Sequence, residues 1–237
     1  MSRSFLFALI APLLLAACAE KRSAAPSGGT QALDTTTIAP AGSTPTKPGD
    51  TAPTVSASGP IPTYNATIST TVGDVVVELY GKEAPKAVEN FVGLAGRKFY
   101  DSLAFHRVAL GFCAQAGDPL TLDTNRRKDW GSGGASIYDN KPFEDEVDPN
   151  GPARRRGYVT GTLAMANSGP NTNKSQFFIV LSTQGAGHLG GMNSYTIFGY
   201  VIGGMDVVKK IEASGAEGEF PRNPVRIRTV TVTPVAR

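Results

Sequence analysis

Two cysteines, two histidines and one tryptophan in 237 residues leave little material for several kinds of protein. With Cys and His this scarce, neither a disulfide framework nor a multi-ligand zinc site can be assembled, so no metal is expected. Charge of one sign is also lacking. Lys+Arg 23 against Asp+Glu 20 gives +3, too slight an excess for a chain built to neutralise many phosphates, and no nucleic-acid partner is expected. Long apolar runs are missing too: the longest, Phe5 to Ala17, is too short to cross a hydrocarbon core of ~30 Å. G-x-S-x-G, C-x-x-C, H-E-x-x-H and a Rossmann glycine pattern after a strand are all absent, which removes support for the common hydrolase and dehydrogenase readings. No cofactor is expected. What the chain does have is ordinary globular composition, 41% hydrophobic and 18% charged, with 27 Gly and 17 Pro for turns.

Three segments follow from the composition. Residues 1–17, with Arg3 ahead of the apolar run, read as a signal peptide. The run ends in Leu15-Ala16-Ala17-Cys18, which resembles the lipobox of bacterial lipoproteins. That resemblance implies lipidation of Cys18 and a membrane anchor, and Ala19 after the cysteine implies the outer membrane, facing the periplasm. Residues 18–62 then read as a tether: 25 of the 44 residues from 19 to 62 are Pro, Ser, Thr or Gly, too polar to offset the entropy of ordering. A flexible chain of this length spans roughly 35–40 Å.

Residues 63–237 hold nearly all the aromatics and form one domain, expected to be monomeric. Tyr64–Thr70 and Asp74–Tyr80 are β-rich runs around a Gly73 turn and predict a hairpin. Val88, Phe91, Val92 and Ala95 recur at helical spacing within Ala84–Lys98. Further strands are predicted at Ala104–Val108, Gly111–Ala116, Tyr158–Ala166, Gln176–Leu181 and Tyr195–Val201, with a second helix over Met205–Ala213. A closing strand begins near Val225, and its parity changes between Thr229 and Val230, which predicts a bulge there. Many strands, few helices and no regular alternation favour an antiparallel barrel over a doubly wound sheet. The clusters Arg126-Arg127-Lys128 and Arg154-Arg155-Arg156 could touch a nucleic acid or anionic lipid, but the acidic run Glu144-Asp145-Glu146 beside them favours reading them as solvated loop charge.

The remaining motifs are Phe105-His106-Arg107, Gly111-Phe112-Cys113-Ala114-Gln115, Gly117-Asp118, Met165-Ala166-Asn167 through Asn173, and Ser175-Gln176-Phe177-Phe178-Ile179. With Gly131-Ser132-Gly133-Gly134, Phe143-Glu144-Asp145-Glu146 and Tyr195-Thr196-Ile197-Phe198-Gly199, they resemble the cyclophilin family of peptidyl-prolyl cis-trans isomerases over about residues 64–233. The resemblance implies a mainly β fold, a closed eight-stranded antiparallel β-barrel capped by two α-helices. It implies proline-containing peptides and unfolded proteins as partners. By resemblance Arg107, Phe112 and Gln115 are catalytic, and Cys113, Ala166, Asn167, Gln176, Phe178, His188, Leu189 and Tyr195 bind substrate. His106 reads as a packed histidine supporting Arg107, because the reaction moves no proton.

The chain departs from the family pattern at several points. Leu110 and Cys113 replace Pro and Met, Ala116 replaces Gly, and Tyr195 stands where many members have His. His188 falls where cyclosporin-sensitive members have Trp, in an enlarged Gly185–Ser194 loop, and Leu120–Trp130 is longer than usual. The expected activity is isomerisation of X-Pro bonds in the cell envelope. Two alternatives are a chaperone that binds proline segments with little catalysis, and an envelope interaction module that uses the tether to reach a partner.

Overall fold

The computed structural model describes residues 63–191, 195–215 and 219–235. The signal segment, Cys18 and the tether lie outside the described residues, as do residues 192–194 of the enlarged loop.

Eight strands form one sheet: β1 (Tyr64–Thr70), β2 (Gly73–Leu79), β3 (Arg107–Ala109), β4 (Cys113–Ala116), β5 (Thr162–Met165), β6 (Phe177–Val180), β7 (Ile197–Gly203) and β8 (Ile227–Pro234). Their order is β3-β4-β6-β5-β7-β2-β1-β8, and every neighbouring pair is antiparallel. The expected closed barrel is replaced by a curled sheet whose end strands, β3 and β8, do not pair as strands. The segments entering them meet at an Ala104–Arg226 bridge and through hydrogen bonds from Ser102 N–H to the Ile227 carbonyl, 2.8 Å, and from Phe105 N–H to the Val225 carbonyl, 2.9 Å. Beyond the bridge, the Val108 N–H donates to the Glu219 carbonyl at 2.7 Å, but no ladder joins β3 to β8 among the described residues.

Alternation places the core. In β1 and β2, Ala66, Ile68, Val75, Val77 and Leu79 face inward while their neighbours are partly exposed. The same alternation in β4, β5 and β6 sends Ala114, Ala116, Leu163, Met165, Phe177 and Ile179 into the main core. Cys113, Ala164, Phe178 and Val180 go to a second apolar cluster on the opposite face. The bulge in β8 lies at Arg228, one residue earlier than predicted: Ser69 pairs with Thr229 but Thr70 pairs with Ile227. This lets Ile227 and Val230 both point inward and turns Arg228 to solvent.

Three α-helices are found among the described residues rather than two: α1 (Pro85–Gly96), α2 (Pro152–Arg156) and α3 (Met205–Ala213). α1 buries Val88, Phe91, Val92 and Leu94, and the Phe91 ring meets Tyr100, Phe177 and Phe198 at centroid distances of 5.0, 5.6 and 5.6 Å. Its cap, Ala84, offers no side-chain acceptor. Glu146 supplies one from 60 residues away, accepting the Lys86 and Ala87 N–H groups at 2.9 and 3.0 Å, a carboxylate at the positive end of the helix. Asp145 accepts hydrogen bonds from Asn171 N–H and the Asn173 side-chain amide, 2.9 and 2.7 Å, tying down the 167–173 loop. Glu144 is exposed and pairs with Lys86. The solvated-charge reading of the basic clusters does not hold for Arg127, stacked 4.9 Å over Trp130, or for Arg156, 5.0 Å over Tyr200.

The long segment 119–131 forms two 3-10 turns, Pro119–Leu122 and Thr124–Asp129. Buried Asp118 fastens both of its ends, accepting from Leu120 N–H at 2.8 Å, Gly133 N–H at 3.2 Å and also Gly131 N–H. Only glycine fits at Gly133, where a Cβ would lie 2.2 Å from the Asp118 carboxylate.

Candidate active site

Strand register builds the site. Arg107 pairs with Gln115, Gln115 with Phe178, Phe178 with Ala164, and Ala164 with Ile197. These five residues form one row across β3, β4, β6, β5 and β7, on the face opposite the main core. With strands ~4.8 Å apart, Arg107 and Phe178 lie ~10 Å apart along the row, about the reach of a short peptide. The next row of the same face holds Ala109, Cys113 and Val180.

On the apolar side of this row, Cys113, Phe178 and Leu189 are buried together, and Phe112, Ala166 and Tyr195 pack against them. Phe178 and Tyr195 meet edge to face, with centroids 5.6 Å apart and planes at 88°. The Tyr195 carbonyl accepts the Tyr158 hydroxyl at 2.7 Å, which fixes the start of β7. Phe112 is half-buried, its ring 4.9 Å from that of His188, which is exposed on the 3-10 turn Gly187–Gly191. Gly185 brings this turn close to Phe112: a Cβ there would stand 1.8 Å from the Gly111 carbonyl oxygen.

On the polar side, the Gln115 amide donates to the Gln176 side-chain oxygen at 2.8 Å. Gln176 in turn donates to the carbonyls of Gly131 and Gly133 at 2.9 and 2.6 Å. One buried amide thus orients Gln115 and shapes the glycine loop. Gln115, Gln176, Ala166 and Asn167 line a cavity of about 440 Å³ with Gly131 to Gly134. Asn167 donates to Asp145 at 3.3 Å, and the Ala166 N–H donates to the Gln176 carbonyl at 2.9 Å.

Arg107 stands at the end of the row. Its Nε donates to Glu219 Oε2 at 2.9 Å, its Nη1 to Cys113 Sγ at 3.4 Å, and its guanidinium carbon is 5.8 Å from the Phe112 ring centre. Burial pushes the Cys113 thiol up to about 11, so it stays protonated near neutrality and is no nucleophile. His106 is buried, and burial holds its imidazole below the usual range, so it is neutral and packed. Every residue the sequence pointed to among the described residues lies on this one face or its rim. Glu219 and the orienting role of Gln176 were not foreseen. Glu219 carries no local signal, because it reaches Arg107 across 112 positions of sequence.

The cyclophilin type peptidyl-prolyl cis-trans isomerase family model matches residues 65–232. The chain belongs to the cyclophilin family. Peptidyl-prolyl cis-trans isomerase-like 3 of Gibberella zeae is 43% identical over 171 residues, covering 71% of this chain and 95% of that protein. Peptidyl-prolyl cis-trans isomerase CYP18-1 of Arabidopsis thaliana is 41% identical over 169 residues, again 71% and 95%. Among solved structures, the Cryptosporidium parvum cyclophilin type peptidyl-prolyl cis-trans isomerase shares 31% identity at a TM-score of 0.60, covering 73% of this chain and 99% of that one. A second structure of that protein, determined in the presence of the dipeptide Ala-Pro, gives 32% and 0.59. At these identities the chain is a peptidyl-prolyl cis-trans isomerase.

Proposed function

We propose that this isomerase speeds the folding of proline-containing proteins in the cell envelope, with Arg107 assisting rotation of the X-Pro amide. The barrier is the loss of amide resonance, which makes the uncatalysed exchange take tens to hundreds of seconds. Ordinary enzyme rates ask for about 10²–10⁵-fold, or roughly 3–7 kcal/mol, with no covalent step. As the amide twists, the prolyl nitrogen regains a lone pair that a planar amide does not offer. A guanidinium N–H donated to it is stronger in the twisted state than in the planar one, and so is catalytic. A charged hydrogen bond contributes about 1.5–3 kcal/mol, part of what is required.

The observation that carries this reading is the row Arg107–Gln115–Phe178, with Phe112 beside it. Phe112, Phe178, Leu189 and Tyr195 provide apolar surface for a proline ring, while Gln115 and Asn167 provide polar groups for the adjoining chain. Of five guanidinium N–H donors, one goes to Glu219 and one to Cys113, leaving three for a substrate. Proline-containing peptides as the substrate class are supported by the Ala-Pro dipeptide present with the Cryptosporidium parvum relative. In a protease-coupled assay of the full-length protein on a Pro peptide, wild type accelerates exchange and Arg107→Ala loses most of the rate while remaining folded. An Ala variant as fast as wild type contradicts the role of Arg107.

The envelope part of the proposal rests on Leu15-Ala16-Ala17-Cys18 and on the Pro/Ser/Thr/Gly-rich stretch that follows. We place the protein as a lipid-anchored monomer at Cys18, on the periplasmic side of the outer membrane. Intact mass and detergent partitioning of the native protein test this. An unacylated product, or a Cys18→Ser protein that still fractionates with membranes, contradicts it.

A further inference from the structure

We infer that Glu219 is a positioning residue for Arg107, and that the long 119–130 segment is the brace that holds it there. The inference rests on Arg107 acting as proposed above. A guanidinium is planar, so two fixed points on it, with a ring alongside, set the orientation of the remaining donors. The Nε–H bond to the Glu219 carboxylate, 2.9 Å, is one such point, and the Nη1–H bond to Cys113 Sγ, 3.4 Å, is the other. The Phe112 ring lies alongside at 5.8 Å.

Glu219 does not reach Arg107 from a free loop. Its carbonyl accepts the Val108 N–H at 2.7 Å, continuing the backbone pairing past the edge of β3. The residues after it are gripped from the long segment: Arg127 donates to the carbonyl of Arg222 at 2.9 Å and to that of Pro221. The Arg127 guanidinium sits 4.9 Å over the Trp130 ring, and the Trp130 indole N–H donates back to the Asp123 carbonyl at 3.1 Å. A continuous chain of contacts therefore runs from Trp130 and Arg127, through residues 219–222, to the Nε of Arg107.

Two consequences of the carboxylate oppose each other. Its charge offsets part of the cation's field at the substrate nitrogen, and its hydrogen bond removes misdirected rotamers of Arg107. The pair is open to water, with the Arg107 and Glu219 side chains 30% and 45% exposed, so solvent screens the first effect. Misorientation is not screened and acts on every turnover, so positioning wins. An ion pair this exposed adds little to stability, and a role in orienting Arg107 accounts for its being braced.

The test measures kcat and KM separately on the full-length protein, with the Arg107 Nε–H signal followed by NMR. Glu219→Ala lowers kcat about 3–10-fold with KM within about twofold, and the Nε–H signal broadens or is lost to solvent exchange. Glu219→Gln, which keeps an acceptor, returns kcat to within about twofold of wild type. Arg127→Ala, acting from outside, lowers kcat in the same direction by a smaller factor and adds nothing to Glu219→Ala. Wild-type kcat in Glu219→Ala, with Arg107→Ala inactive, overturns the positioning role and leaves the reading of Arg107 standing. A loss from Glu219→Ala that persists in the Arg107→Ala background also overturns it. Wild-type activity of Arg107→Ala removes the foundation of both. Should Glu219→Ala not fold, an unchanged kcat and Nε–H signal in Arg127→Ala overturns the brace, and a kcat in Glu219→Gln as low as that of Arg107→Ala overturns the acceptor role.

Discussion

Across β3, β4, β6 and β5 the site residues are placed by backbone pairing, whereas the segments around that row are placed by single side chains. Arg107, Gln115, Phe178 and Ala164 owe their alignment to strand register, which cannot slip without turning every core residue to the wrong face. The 119–131 segment hangs on Asp118, and the glycine loop on Gln176. The turn carrying His188 is held by Leu189, buried with Cys113 and Phe178, by the His188 ring on Phe112 and by the close approach of Gly185 to Gly111. The row is thus fixed by register and the rim by local attachments, and the proposal puts chemistry on the first and selectivity on the second.

Arg107→Ala tests the row hardest. Losing a charged hydrogen bond specific to the twisted amide costs about 1.5–3 kcal/mol, or roughly 10–150-fold in kcat, with thermal stability little changed because the side chain is partly exposed. Gln176→Ala tests the junction between row and rim. It removes the partner of Gln115 and the donor to Gly131 and Gly133, and a loss of about 5–30-fold in kcat/KM is expected, read with peptides that extend on the N-terminal side of proline.

How far the sequence reveals each region follows the same division. The row was legible only through the family resemblance, because Thr162–Met165 and Phe177–Val180 are buried at every position and their local pattern does not separate the two faces of the sheet. The helix over Met205–Ala213 was legible from its own pattern, with Val207, Val208 and Ile211 on one face. Closure of the sheet was not legible, because it depends on how Ser102–Phe105 meets Val225–Ile227, a pairing of segments more than a hundred residues apart. The β8 bulge was seen but set one residue late, since Arg228 and Thr229 are both polar and the pattern does not say which of them is extra. The capping of α1 by Glu146 and the hold of Glu219 on Arg107 were invisible for one reason. Each acid meets its donor only through tertiary packing, across 60 and 112 positions of sequence, and no local pattern pairs them.

At the rim, the resemblance sets His188, whose ring lies 4.9 Å from that of Phe112, where cyclosporin-sensitive family members have the larger Trp. Cyclosporin is expected to inhibit weakly, and His188→Trp to regain part of a contact of about 1–3 kcal/mol with catalysis unchanged within about twofold, read by inhibitor titration. Tight inhibition of the unmodified protein would show that the rim is built as firmly as the row.

The smallest effects lie in the pH dependence of stability. Cys113 has its thiol raised on folding, so its contribution is fully present below the unfolded value of about 9 and is lost as the pH climbs through about 11. His106 is shifted the other way by burial, so its contribution is present above the unfolded value of about 6.5 and is lost as the pH falls below it. Denaturation midpoints against pH, compared with Cys113→Ala on the alkaline side and His106→Phe on the acid side, separate the two. A variant whose curve matches wild type in its window removes that group from the account.

The central claim is that a guanidinium held by strand register drives X-Pro rotation, and it is tested most directly by NMR exchange spectroscopy on an Ala-Pro peptide with the full-length protein. Wild type, Arg107→Ala and Arg107→Lys are compared at matched peptide occupancy, since lysine keeps the charge and loses the planar fork. The account predicts that all three bind the peptide, that wild type brings cis–trans exchange onto the enzymatic timescale, and that both variants lose most of it. Exchange in Arg107→Ala as fast as in wild type would contradict the account.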